Sequence, residues 1–350
     1  MLTCLRFMLL LTGVLIACPY ALAETQHSTN GAFGVSGETV AFVDNIEYST
    51  RYRTGETMFG ASAAFRLFWQ PSEHTLFAFG AYGLRRFGDE RFLARKLPLF
   101  RAQYESGGVS FVIGELVSAD AHELPDFMFR QEYCFDPGIE EGIQARLRLR
   151  YFTENCWVAW DSINTPAHRE HFTAGSVSII SIANFSFPVF ITAEHHGGEL
   201  YNIPGQPVQE RFGGATGVIA SHQIQSGLKR VFGQLLIAGS AYRVRSEEHE
   251  SGQGYGVIGK TGISPFGFDC SLQWFKGHNL IMPLGDLVFR TNRPLFSLEI
   301  AKMYKANNFL SASGGIRFET ADVRVDRYFK NPRYRWWIVL RGGFNRIMGK

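Results

Sequence analysis

The sequence is short of net charge, of lysine, of helical periodicity and of long apolar runs. Lys and Arg total 35 against 32 Asp and Glu, a formal charge of +3. So even a balance gives nucleic-acid binding no electrostatic basis. Beyond residue 23 no stretch approaches the ~18 uncharged apolar residues of a transmembrane helix. There are 5 cysteines and no CxxC pair, so neither a disulfide framework nor a structural zinc site is indicated. There is also no HExxH, no Ser-centred nucleophile motif, no Gly-rich phosphate loop, no fixed-period repeat and no linker marking a second domain.

What is abundant is aromatic and small. The 350 residues are 45% hydrophobic and 14% aromatic, with 37 Gly and only 19% charged. This is too apolar for a disordered chain. It suits a bilayer-embedded β-barrel, whose hydrophobicity is spread by alternation. Residues 1–23 read as an export signal: Arg6, then an apolar stretch from Met8 to Ala17, then Ala21-Leu22-Ala23 before Glu24. An alternative is a lipoprotein box at Leu15-Ile16-Ala17-Cys18; Pro19 directly after Cys18 favours cleavage at Ala23. Residues 24–350 are then one barrel domain.

Period-2 alternation recurs along the chain. In 266–276, Phe266, Phe268, Cys270, Leu272 and Trp274 share one face, and Asp269, Ser271 and Gln273 the other. Residues 143–151 set Ile143, Ala145, Leu147, Leu149 and Tyr151 against Gln144, Arg146, Arg148 and Arg150. Residues 334–344 repeat the pattern, as do 59–69 and 310–318. Fifteen such strands begin between 55 and 334, and a weaker one at 38–48 completes sixteen; fourteen is the alternative count. Short turns, such as 70–72, 106–108, 153–155 and 264–265, alternate with long loops, such as 119–140, 198–211 and 277–293. That rhythm matches an antiparallel up-and-down transmembrane β-barrel with short periplasmic turns. A periplasmic β-sandwich or propeller is the soluble alternative, but rings near the strand ends, Trp69, Tyr151, Trp274, Trp336 and Phe344, suit aromatic girdles. A full strand separates Cys134 from Cys156 across the ~25 Å apolar band, so no bridge is expected between them.

On export signal, strand rhythm and C-terminal aromatic strand, the chain resembles the Gram-negative outer-membrane porins, over nearly its whole length past the leader. The departure is Asn345–Lys350, which follow the Phe344 that would end such a barrel. The resemblance implies an outer-membrane channel for passive diffusion of small hydrophilic solutes. It implies no cofactor and no covalent chemistry. The implied partners are outer-membrane lipid, the barrel-assembly machinery, small solutes and, as an option, further copies of the chain. Alternatives are a barrel with a rim enzyme or metal site, and a surface adhesion or structural barrel.

In general porins the third external loop narrows the lumen. Here that loop, 119–140, carries Glu123 and Asp126 among other acids, and folded inward it would face the ladder Arg146, Arg148 and Arg150 on the next strand. Acids opposite arginines would set a transverse field of the kind that gives pores charge selectivity. Arg66, Arg317, Arg335 and Arg341 also fall on polar faces, and only 8 of the 35 basic residues are Lys, which leans toward anions. At the external rim His122, Asp161, His171, Glu194 and His196 read first as plain polar surface. Metal binding and His–acid catalysis are the two alternatives. Loop 277–293 is unusually apolar, with Leu280-Ile281-Met282-Pro283-Leu284 and Leu287-Val288-Phe289. It reads as a lumen plug, a contact with another molecule, or a further strand.

Overall fold

The computed structural model describes residues 31–47, 55–117, 121–134, 139–198, 200–201, 203, 205–224, 228–245, 250–307, 309–320 and 333–349. The leader 1–23 lies outside them. Sixteen strands close into an antiparallel barrel in sequence order. They are β1 Ala32–Ile46, β2 Glu56–Ser72, β3 Thr75–Arg86, β4 Arg95–Ser106, β5 Val109–Glu115, β6 Glu141–Arg148, β7 Phe152–Ser162 and β8 Glu170–Ile182. The second half is β9 Phe185–Gly197, β10 Val208–Gln223, β11 Leu228–Arg245, β12 Ser251–Pro265, β13 Phe268–His278, β14 Leu295–Lys305, β15 Leu310–Thr320 and β16 Arg333–Gly349. Closure is made by β1 on β16, from Ile46 opposite Arg335 to Phe33 opposite Gly349. Every strand then has a partner on both edges, as a sheet in hydrocarbon requires.

Alternation sorts the side chains as expected. Leu272 is 50% exposed on the outer wall while its neighbours Ser271 and Gln273 are buried inside. Ile338 and Phe344 point out; Arg335, Trp337 and Val339 point in. Phe33, Trp69 and Phe77 stack in a row across β1–β3 at the short-turn end, with ring centroids 6.0 and 5.8 Å apart. Such a row is part of an interfacial girdle.

The lumen is filled. The β5–β6 and β13–β14 loops both fold inward and meet: Phe129 bridges Leu284, and the Arg130 amide donates to the Leu284 carbonyl at 3.0 Å. Leu124, Phe127, Met128 and Phe129 from the first loop join Leu280, Met282, Leu284, Val288 and Phe289 from the second in one core. Inward-facing Trp157, Val177, Phe190, Leu236, Ile258 and Phe275 complete it from the wall. Each such side chain contributes about 1.5–3 kcal/mol relative to exposure. The approach is close enough that a Cβ on Gly285 would lie 2.3 Å from the Phe127 carbonyl oxygen. Of the three options for the apolar loop, the lumen plug is the one observed.

Four details differ from the sequence pattern. The β6–β7 turn falls at 149–151, so Arg150 is a turn residue over the Tyr151 ring at 4.8 Å and not part of a strand face. β16 continues past Phe344 because Asn345 to Gly349 still pair with β1. β1 begins at Ala32, earlier than expected. Its apolar residues Val40 and Phe42 face the interior, where Leu84, Leu99, Trp337 and Val339 cover them.

Candidate active site

The inner wall near the external end carries the chemistry. The β5–β6 loop brings His122 against β6 and β7. Its Nε2 lies 2.6 Å from Glu140 Oε2, and its ring stacks on Trp157 at 4.0 Å with the planes 1° apart. The imidazole is fully buried, and its Nδ1 has no hydrogen-bond partner among the described residues. Asn155 donates to the His122 carbonyl, and Gln144 in turn donates to Asn155. His122 and Glu123 both adopt left-handed backbone, φ 54° and 66°. Such conformations cost about 1–3 kcal/mol each and persist where the surroundings over-determine them.

Strand pairing assembles the other rim residues on β7–β10. His171 Nδ1 lies 3.2 Å from Asp161, and its Nε2 3.1 Å from Glu194. Arg211 donates to the second Glu194 oxygen at 3.0 Å, and the His196 ring packs edge-on to His171 at 5.4 Å. Both His171 nitrogens are thus occupied by carboxylates. Among the described residues no group of three His, Cys, Asp or Glu is arranged to hold a metal. Of the five residues grouped by sequence, four come together and His122 stands apart with Glu140.

The arginines are mostly paired. Arg66 forks onto Glu115, which also takes Arg101 at 3.3 Å. Arg317 bridges Asp126 at 2.8 Å and Glu299. Arg335 grips both Asp44 oxygens at 2.7 Å and reaches Glu132 at 3.4 Å. Arg146 donates to the Val117 carbonyl and to Asn155. Arg148 and Arg150 are exposed at the short-turn end, remote from the acidic loop; Arg341 is half-buried on β16 and Glu123 is exposed. Asp126 instead crosses to the opposite wall. Lys260 at 3.1 Å, acting against burial and joined by Arg317, holds its carboxyl well below the usual carboxylate range.

Sequence reading missed Asp44, Glu115 and Trp157. Parity puts Glu115 on the lipid face with Phe111 and Ile113; the positive φ of Gly114, 96°, breaks the alternation and turns Glu115 inward. Nothing in the local sequence marks the Trp157 stack, which depends on a loop returning into the lumen.

These features define a sixteen-stranded porin-like outer-membrane barrel whose lumen holds two packed loops. Solved structures agree on the fold. OmpT of Vibrio cholerae is similar with TM-score 0.52 and 7% identity, over 92% of this chain and 100% of that one. The anion-selective porin from Comamonas acidovorans gives 0.50 and 11% over 91% and 100%, and the Salmonella typhi OmpF complex with daunomycin gives 0.51 and 10% over 90% and 98%. No curated protein sequence matches. The chain belongs to the lipid A 3'-O-deacylase-type family, whose model matches residues 25–296. This corrects the expectation of no covalent chemistry, because the family is one of enzymes.

Proposed function

We propose that the protein is an outer-membrane hydrolase that cleaves an ester-linked acyl chain from a lipid A-type glycolipid, with His122 as general base. The observation that carries this reading is the Glu140–His122 pair, whose second nitrogen is buried and without a hydrogen-bond partner among the described residues. A buried polar atom left without a partner costs about 1–3 kcal/mol, so its retention asks for a use. Glu140 accepts from Nε2–H and so fixes the tautomer with the lone pair on Nδ1. That lone pair takes a proton from a water attacking the ester carbonyl. The tetrahedral intermediate then expels the sugar oxygen, which recovers the proton from His122, giving a fatty acid and a free hydroxyl.

The wall supports access from the outer leaflet. β5 and β6 have only 7 and 8 residues, against 11 or more in every other strand. The rim therefore dips beside Glu140, where an outer-leaflet glycolipid can lean in. The test is release of fatty acid from lipid A vesicles. His122→Gln should lose release while the barrel keeps its heat-modifiable migration. Full activity in that variant would end the reading.

Passive diffusion, with an anion preference, is the second reading. Sixteen-strand girth and interior arginines favour it; the packed loops oppose it. Single-channel recordings in planar bilayers separate the two.

A further inference from the structure

A groove of about 440 Å³ lies on the outer wall of β9–β13. Small residues Ala220, Gly233 and Gly259 form its floor, and Leu235, Leu272 and Trp274 its sides. Pairing puts Gly233 beside Ala220 on one side and Thr261 on the other, so the small residues adjoin across three strands. The volume falls in the ~300–1,000 Å³ range of small-molecule sites. The lining is almost wholly apolar, and the face belongs to the hydrocarbon side.

At the short-turn end of the same face stands a cation. Lys302 on β14 is opposite Phe268, with its ammonium 4.3 Å from that ring. The register Leu272–Leu298, Cys270–Ile300, Phe268–Lys302 puts Lys302 on the Leu272 face. It lies four residues below Leu272, or roughly 13 Å along the strand. An apolar slot with a positive charge one headgroup-length below it matches one ligand chemistry.

We propose that this face holds a phospholipid of the periplasmic leaflet, with one acyl chain in the groove and its phosphate at Lys302. Lys and Arg at membrane interfaces pair with anionic headgroups in this way. The proposal is independent of the hydrolase reading.

The groove can be filled without disturbing the wall. A Cβ on Gly233 meets nothing within 4 Å. The protein would be purified in mild detergent, offered phosphatidylglycerol and weighed by native mass spectrometry. Wild type should retain one phosphatidylglycerol per barrel. Gly233→Leu, by displacing about two methylenes, should lower retention about tenfold. Lys302→Gln should weaken retention while leaving heat-modifiable migration unchanged. Trp274→Ala, which opens one side, is the second groove variant and should also lower it. Equal retention in wild type and both groove variants would overturn the proposal. So would a wild-type dimer that carries no lipid and falls apart in Gly233→Leu, since the occupant would then be a second copy.

Discussion

Phe127→Ala tests whether the inserted loops act as a stopper separate from the wall. Phe127 is 1% exposed and its ring meets Phe289 edge-on at 6.0 Å, joining the two loops inside the lumen. Truncation removes the ring and leaves a cavity, at about 3–5 kcal/mol. None of that cost falls on the strand ladder, because Phe127 makes no strand pairing. The loop-in state should lose about 10²–10⁴-fold in equilibrium population. In planar bilayers, wild type should be closed nearly always and Phe127→Ala should show frequent openings of a single size. The barrel's thermal unfolding should shift little. If the variant is as silent as wild type, or its barrel unfolds several kcal/mol more easily, loops and wall form one cooperative unit and the reasoning fails.

Two more expectations follow from the same geometry. Leu272→Arg should destabilise refolding by about 2–4 kcal/mol, since it turns a charge toward hydrocarbon; a cost equal to that of Glu73→Arg, at an exposed turn, would deny that the face meets lipid. Asp126→Asn should facilitate opening at neutral pH. Because the native Asp126 binds fewer protons than the unfolded chain, its contribution is present above the ordinary carboxylate value of about 3.9 and shrinks as pH falls below it. The wild-type advantage over Asp126→Asn should therefore narrow on acidification, and a constant difference from neutral pH downward would refute the pairing.

The barrel was legible where lipid enforces the pattern. Leu272, Ile338, Phe65 and Leu67 must be apolar to face hydrocarbon, and that demand repeats every second residue. The interior was less legible because the wet-lumen assumption failed in its upper half. Trp157 and Ile258 are apolar and face inward because the inserted loops cover them, and Val40 and Phe42 because wall residues such as Leu84, Leu99 and Trp337 do. There the two faces of a strand are alike and alternation loses its meaning. The acid–arginine idea had the right loop and the wrong partners. Asp126 meets Lys260 and Arg317 on distant strands because the loop crosses the lumen, a path that residue spacing does not encode. His122 was grouped with the rim residues Asp161, His171, Glu194 and His196; its pairing with Glu140 instead needed the loop's return.

The β1–β16 seam has a consequence for how the chain is made. Every other neighbour pair joins consecutive strands, so hairpins can form as the chain emerges. The seam alone joins the two ends; the Thr39 hydroxyl donates to the Gly342 carbonyl across 303 residues. Entropy does not forbid such a contact, because closure cost rises only about 0.6 kcal/mol per doubling of the loop. Timing is the constraint: non-local pairing is slow, and until it forms two raw sheet edges stand open to lipid and to other chains. The last strand to arrive must find the first. A nick or deletion at either terminus would therefore expose two edges at once and turn the cylinder into an unrolled sheet.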